Sequence, residues 1–336
     1  MNHTFIIGEV GPNHNGDAGI AHEMVTQLAR IGVDAVKFQL ADPTKLYSKD
    51  AIKAAYQKEN DLAVDVLEAA RKRQLSHEAH KELKDHCLRE GVEYLCTGFD
   101  LESVRFLHET LHVERFKIPS GEILTPEILH YISDKTSPII LSTGMATNDE
   151  IKYALAKLDN SHSRDITILH CVSQYPVANS AVNLRVMDTL RNLFGYPVGY
   201  SDHTEGNEAA IAAVAMGAKV VEKHVTLDKS WPGPDHRASA TIDQFRSLVQ
   251  SIREIEKLLG SAERKVSVAE RSIAMVARKS AVARRDLSIG EIITEQDICF
   301  KRPGTGFLPS QMSQVSGRKV KTPIAADTVI RSDALE

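Results

Sequence analysis

The sequence predicts an α/β fold: an eight-stranded parallel (β/α)8 TIM barrel over residues 1–262, then a linker at 263–273 and a small β-rich domain at 274–336. Three observations support this. Eight short runs rich in apolar and β-branched residues recur, at 5–10, 35–39, 93–97, 115–119, 138–142, 166–171, 198–201 and 219–225. Several are almost continuously hydrophobic, as strands covered on both faces are. Between them, residues 19–31, 77–90, 101–111, 147–158, 205–216 and 241–259 place apolar side chains at helical spacing, and that alternation belongs to parallel strands covered by helices.

Taken in order, nearly every strand ends in polar residues: Glu9, then Lys37 with Gln39, Thr97, Lys117 with Ser120, Ser142 with Thr143, His170, Ser201 with His203, and Glu222 with His224. In a β/α barrel the loops after the strands converge on one bowl, so this pattern predicts an active site there. The polar insertion at 41–61 follows the second strand and reads as a functional loop. After Gly260 the charged stretch to Arg271 reads as a linker. Turn signals at Ile289-Gly290-Glu291 and Pro303-Gly304-Thr305-Gly306 mark the small module, which at this size calls for another surface to pack on.

Composition narrows the function classes. Of 336 residues, 42% are hydrophobic and 26% charged, enough for a substantial core, and the formal charge of -4 gives no overall basic field for a nucleic acid. The apolar stretch Phe5-Ile6-Ile7 is too short for a signal-peptide core, and no run is long enough to span a membrane. Four scattered cysteines make no CxxC pair, which fits reduced thiols in a cytoplasmic protein.

Lys37 and Lys117 each stand among apolar neighbours, where an unpaired ammonium is costly to desolvate. A bound anion resolves that cost. With the hydroxyls of Thr97, Ser120, Ser142 and Ser201 and the amides near Gly121 and Gly144, a phosphate monoester is the natural guest. The alternative is a structural network pairing the lysines with Glu9 or Glu122. His203 and His224 end adjacent strands and suit one divalent cation with oxygen ligands; the alternative is one orienting and one core histidine. The loops Asn13-His14-Asn15-Gly16 and Gly233-Pro234-Asp235-His236 border the same bowl and suit the hydroxyls of a polyol.

In this order the segments Gly8-Glu9-Val10-Gly11-Pro12-Asn13-His14-Asn15-Gly16, Val36-Lys37-Phe38-Gln39, Phe116-Lys117-Ile118-Pro119-Ser120-Gly121-Glu122, Leu141-Ser142-Thr143-Gly144-Met145, Gly199-Tyr200-Ser201-Asp202-His203-Thr204, Glu222-Lys223-His224-Val225-Thr226-Leu227-Asp228-Lys229 and Gly233-Pro234-Asp235-His236 resemble the sialic acid synthase family. The resemblance runs over the whole chain. It implies condensation of phosphoenolpyruvate with an N-acetylmannosamine-type aldose, with release of phosphate, and a divalent metal, Mn2+ or Mg2+. It further implies His203 and His224 as metal ligands and Lys37, Thr97, Lys117, Ser120, Ser142, Ser173, Tyr175 and Ser201 around phosphoenolpyruvate and its neighbours. Glu9, Gln39, Asn13 and Asp235 are expected to face the sugar, and Glu122 to handle protons.

The family's C-terminal module is an antifreeze-like (SAF) domain that reaches into the partner of a domain-swapped homodimer. Arg302, within Phe300-Lys301-Arg302-Pro303-Gly304-Thr305-Gly306, is then expected to contact the sugar's N-acetyl group; otherwise it is a solvated charge in a turn. Two departures stand out: Gly98 where the family often has proline, and Ser173 where some members have Thr or Asn. The acceptor stays open between N-acetylmannosamine and 2,4-diacetamido-2,4,6-trideoxymannose, the substrate of an N,N'-diacetyllegionaminate synthase. More distant readings are a pseudaminate or 3-deoxy-octulosonate phosphate synthase, a metal-dependent sugar-phosphate aldolase and a non-catalytic carbohydrate-binding protein.

Overall fold

A computed structural model of the chain describes residues 3–52, 65–159 and 164–336. It divides into two compact units, Met1–Gly260 and Ser261–Glu336. In the first, eight parallel strands close on themselves: β1 (Phe5–Glu9), β2 (Ala35–Leu40), β3 (Glu93–Gly98), β4 (Phe116–Ile118), β5 (Ile139–Ser142), β6 (Ile166–Cys171), β7 (Val198–Asp202) and β8 (Val220–Thr226). Each pairs with the next, and β1 pairs with both β2 and β8. A two-residue strand, β9 (Ala240–Thr241), adds to β8. This is the TIM barrel expected from the alternating pattern.

The described helices are α1 (Ala18–Ile31), α2 (Pro43–Leu46), α3 (Val66–Lys72), α4 (His77–Glu90), α5 (Leu101–Arg105), α6 (Pro126–Ser133), α7 (Asn148–Leu158), α8 (Asn179–Val182), α9 (Val186–Phe194), α10 (Glu208–Ala215), α11 (Ile242–Leu259) and α12 (Val268–Ala277). Local chemistry starts and stops them. Asp17 caps α1 by accepting from the Ile20 N–H, and Ala21, Met24, Val25, Leu28 and Ile31 bury one face against the sheet. Capping boxes open α7 at Thr147 with Glu150 and α11 at Thr241 with Gln244.

The helical spacing read from the sequence does not include α6 and α9, of eight and nine residues. The insertion at 41–61 contributes α2; its residues from 53 on lie outside the described ones. Gly98 has a steric reason. A Cβ there would lie 2.8 Å from Val104 Cγ2 and 2.9 Å from the Val104 backbone nitrogen, so the bare residue lets α5 lean on the end of β3.

Strand alternation sets what fills the barrel. Ile7, Ala35, Leu95, Ile140, Leu169 and Val220 form an apolar plug. Two residues farther along the same faces stand Glu9, Lys37, Thr97, Ser142, Cys171 and Glu222, so the interior turns from hydrocarbon to ions in a single layer. Two farther again, Gln39 and His224 line a cavity of about 280 Å³.

In the second unit β10 (Ser280–Ala283) and β11 (Ile298–Lys301) pair antiparallel around a core that includes Ala281, Leu287, Ile293, Val315, Val320 and Ile330. The segment read as a linker is helical from residue 268, because Ser267 and Glu270 form a capping box that starts α12.

Candidate active site

The ion layer is a closed network. Lys37 Nζ lies 2.8 Å from Glu9 Oε2 and 3.6 Å from Glu222 Oε2, and it donates to Thr97 Oγ1 at 3.2 Å. The Glu9 contact is an ion pair out of line for a directed hydrogen bond. Lys117 Nζ donates to Ser142 Oγ at 2.8 Å and lies 3.5 Å from Glu222 Oε1, which also accepts from Ser201 Oγ at 3.2 Å.

All four ions are at most 6% exposed. Burial pushes the Glu222 carboxyl up, but Lys117 and then Lys37 hold it at about 2. Burial works against a charged Lys37 as well, and Glu222 and Glu9 together raise it. Glu9 is raised by burial against the pull of Lys37. Lys117, with no carboxylate closer than Glu222, is lowered by burial. The structural alternative for the lysines is therefore met in part by Glu9, while Glu122 takes no part in it.

Glu222 is the residue whose role the sequence reading passed over. It was visible as the middle of Val220, Glu222 and His224, three alternate positions on the inner face of β8.

The two histidines meet at the layer above. Their ring centroids are 5.8 Å apart, and Tyr175 packs on both, 4.1 Å from His203 and 5.7 Å from His224. His203 Nδ1 donates to Val172 O at 2.6 Å, which leaves Nε2 with its lone pair. Burial lowers His203 to about 4 and His224 well below its usual value, so both rings are neutral. His224 Nδ1 is buried without a hydrogen-bond partner, 3.7 Å from Asp235 Oδ2. Two neutral imidazoles, one of them anchored through its other nitrogen to a carbonyl, fit a divalent cation. Among the described residues no group of three or more His, Cys, Asp or Glu could hold a metal, so a cation held by these two imidazoles would need further ligands from outside such a group.

Gln39 donates to Glu9 Oε1 at 2.8 Å, joining the two layers. Burial, then Glu9, pushes Asp235 up to about 7. Its loop is tied to the loop after β1: His236 meets Thr226 Oγ1 at 2.8 Å and Asn15 Oδ1 at 3.3 Å. On the other side of the bowl Ser120 Oγ accepts from the Gly144 N–H at 2.8 Å and lies 3.3 Å from Cys171 Sγ.

Three expectations change. Asn13 is fully buried and donates to Val225 O and Ser239 Oγ, both at 2.8 Å, so it fastens the β1 loop behind the cavity wall instead of facing a sugar. Glu122 closes its own turn, accepting from Thr125 Oγ1 at 2.5 Å. His170 points out of the barrel to Val182 O, as the residue between the inward Leu169 and Cys171 must. Arg302 is exposed within the second unit.

Residues 24–264 match the model of the NeuB family, and residues 278–336 match that of the SAF domain. The chain belongs to the NeuB family. It is an enzyme of that sialic and legionaminic acid synthase group. It is 43% identical to the N,N'-diacetyllegionaminic acid synthase of Legionella pneumophila, over 99% of this chain and 94% of that protein. It is 33% identical to the N-acetylneuraminate-9-phosphate synthase of Mus musculus, over 99% and 92%. The solved N-acetylneuraminic acid synthetase of Leptospira borgpetersenii superposes with a TM-score of 0.73 at 30% identity, over 81% of this chain and 90% of that one. No helix among the described residues is long and apolar enough to cross a membrane.

Proposed function

We propose that this NeuB-family enzyme condenses phosphoenolpyruvate with 2,4-diacetamido-2,4,6-trideoxymannose, releasing phosphate. The observation that carries the reaction type is the buried pair Lys37 and Lys117, with a hydroxyl on each, one layer beneath a cavity lined by His224 and Asp235, with His203 beside His224. The 43% identity to a diacetyllegionaminic acid synthase, against 30% for an N-acetylneuraminic acid synthetase, supports the diacetamido sugar over N-acetylmannosamine.

Lys117 is the main phosphate anchor. Its closest contact is a neutral hydroxyl, which leaves N–H donors for the phosphoester, while Lys37 is shared between two carboxylates. Thr97, Ser142 and Ser201 orient these ions, and Ser120, Ser173 and the Gly144 amide offer neutral polar groups on the β4–β6 side. His203 and His224 hold a divalent cation, Mn2+ or Mg2+. When bound, it supplies Lewis acidity at the acceptor's aldehyde oxygen.

Gln39, Glu9, Tyr175 and Asp235 surround the acceptor. Asp235, with a pKa near neutrality, holds or releases a proton at its carboxyl beside the acceptor's oxygens. Enclosure of the two reactants in one small cavity supplies effective concentration.

The enzyme is further proposed to act as a domain-swapped homodimer in which Arg302 meets the sugar's N-acetyl group in the partner. In support, α12 buries none of its residues, and Val268, Ile273, Met275 and Val276 are 55–74% exposed. Such a face on a helix calls for a covering surface. Phosphate release measured with phosphoenolpyruvate, Mn2+ and the diacetamido sugar tests the reaction, and light scattering tests the dimer. No release with that sugar, or a monomer at micromolar concentration, defeats the respective proposal.

A further inference from the structure

One wall of the cavity has no part in the roles assigned so far. It comes from α2, α3 and the residue that ends α3. Leu46, Val66, Ala69 and Ala70 give it an apolar surface, and Arg73, the C-cap of α3, stands at its edge. Among the described lining residues Arg73 is the only lysine or arginine.

Its backbone is held from three directions. The Arg73 N–H donates to Ala70 O at 3.1 Å, and the neighbouring Gln74 Oε1 accepts from the Ala41 N–H at 3.0 Å. Gly16, at φ +80°, brings the β1 loop so close that a Cβ would lie 2.1 Å from Lys72 O. The guanidinium is within electrostatic range of Asp235, so it belongs to the same cavity as the sugar-facing groups.

A guanidinium beside small apolar side chains matches the two halves of an acetamido group, a carbonyl acceptor and a methyl. It is poorly matched to a phosphorylated sugar. A phosphate monoester brings nearly two negative charges, and on this wall it would meet, among the described lining residues, the single guanidinium of Arg73 with the Asp235 carboxyl nearby. We infer that Arg73 and the α3 wall select the acceptor by its second acetamido group, with the guanidinium donating to the amide carbonyl and the methyl packing on Ala69 and Ala70. The inference rests on the condensing reaction proposed above and names the part of the acceptor that is read.

The test compares kcat/KM of the full-length Mn2+ enzyme for 2,4-diacetamido-2,4,6-trideoxymannose, N-acetylmannosamine and N-acetylmannosamine 6-phosphate. Parent, Arg73→Met and Arg73→Lys are assayed, and thermal melts confirm that each variant is folded. Loss of a charge-assisted hydrogen bond lowers use of the diacetamido sugar by about tenfold or more in Arg73→Met. N-acetylmannosamine falls by less than that, the KM for phosphoenolpyruvate stays constant, and Arg73→Lys recovers part of the loss. Equal loss on both neutral sugars, no loss on either, or a parent preference for the phosphorylated sugar overturns the role of Arg73 and leaves the reaction standing. Absence of phosphate release by the parent with all three sugars overturns the reaction itself.

Discussion

Replacing Lys117 with methionine removes one ammonium from the buried cluster while nearly filling its volume. Lys117 lies 2.8 Å from Ser142 Oγ and 3.5 Å from Glu222 Oε1, so the loss falls on Glu222, whose low pKa of about 2 owes more to Lys117 than to Lys37. After the change only Lys37 remains near that carboxylate, and Lys37 is shared with Glu9. Breaking a buried pair from one side costs about 3–5 kcal/mol. We expect about 3 kcal/mol near pH 7.5, since Lys37 keeps part of the compensation. At about 2–4 °C per kcal/mol, the melting temperature falls by roughly 6–12 °C.

The pH dependence distinguishes charge from packing. In the parent, the depressed Glu222 contributes stability that is fully present above its ordinary value of 4.5 and is lost only as the pH falls toward 2. In Lys117→Met the buried carboxyl rises above its unfolded value, so the folded variant takes up a proton and gains stability on acidification. The gap between variant and parent therefore narrows between about pH 7.5 and about pH 5.5. Urea melts at both pH values, completed with Glu222→Gln and the double variant, measure the coupling, which should be at least about 1.5 kcal/mol. A gap that ignores pH, or single effects that simply add, refutes the pairing of Lys117 with Glu222.

Alanine at His203 or His224 should abolish Mn2+-dependent turnover and weaken Mn2+ binding in calorimetry while the melting temperature changes little; undiminished binding in both variants would remove the metal from these residues. Gly98→Ala must push against Val104 backbone, so urea denaturation should show a loss of about 1–3 kcal/mol; a neutral result would mean that α5 shifts freely. Arg302→Ala should raise the KM for the sugar more than that for phosphoenolpyruvate, and an equal rise on both contradicts contact with the N-acetyl group.

The barrel was legible because every strand repeats one statement, an apolar run leading to polar residues. The ions of the site were legible for the same reason: Lys37 and Lys117 break their runs. Their partners were harder to read, because pairing runs across strands distant in sequence. Glu222 answers lysines on β2 and β4, and nothing local in β8 marks which carboxylate they meet. Asn13 and Glu122, expected to face the sugar and to handle protons, show the opposite case. Each has a strong local use, Asn13 in fastening a loop and Glu122 in closing a turn, and local hydrogen bonds compete with any longer reach. Arg73 follows the insertion, at the end of a helix whose period says nothing about a cavity, and the contacts of Gly16 with Lys72 and of Ala41 with Gln74 bring it there.

Strand β8 shows how stability and chemistry come to share residues. Glu222, Lys223 and His224 are consecutive and all buried, an arrangement that would be prohibitive if they faced one environment. Alternation separates them. Glu222 and His224 point into the barrel, one toward the lysines and the other toward the cavity, while Lys223 points outward. There Lys223 Nζ donates to Asp202 Oδ2 at 2.7 Å and to Thr204 O at 2.6 Å, and Asp202 Oδ1 accepts from the Thr204 N–H at 2.9 Å and its hydroxyl at 2.8 Å. That outer pair brackets His203 in sequence and clamps its turn to the strand that carries His224. The two imidazoles are thus set against each other by an ion pair on the far side of the sheet. A single register slip in β8 would exchange inner and outer faces, and would lose the clamp, the buried ion cluster and the histidine pair together.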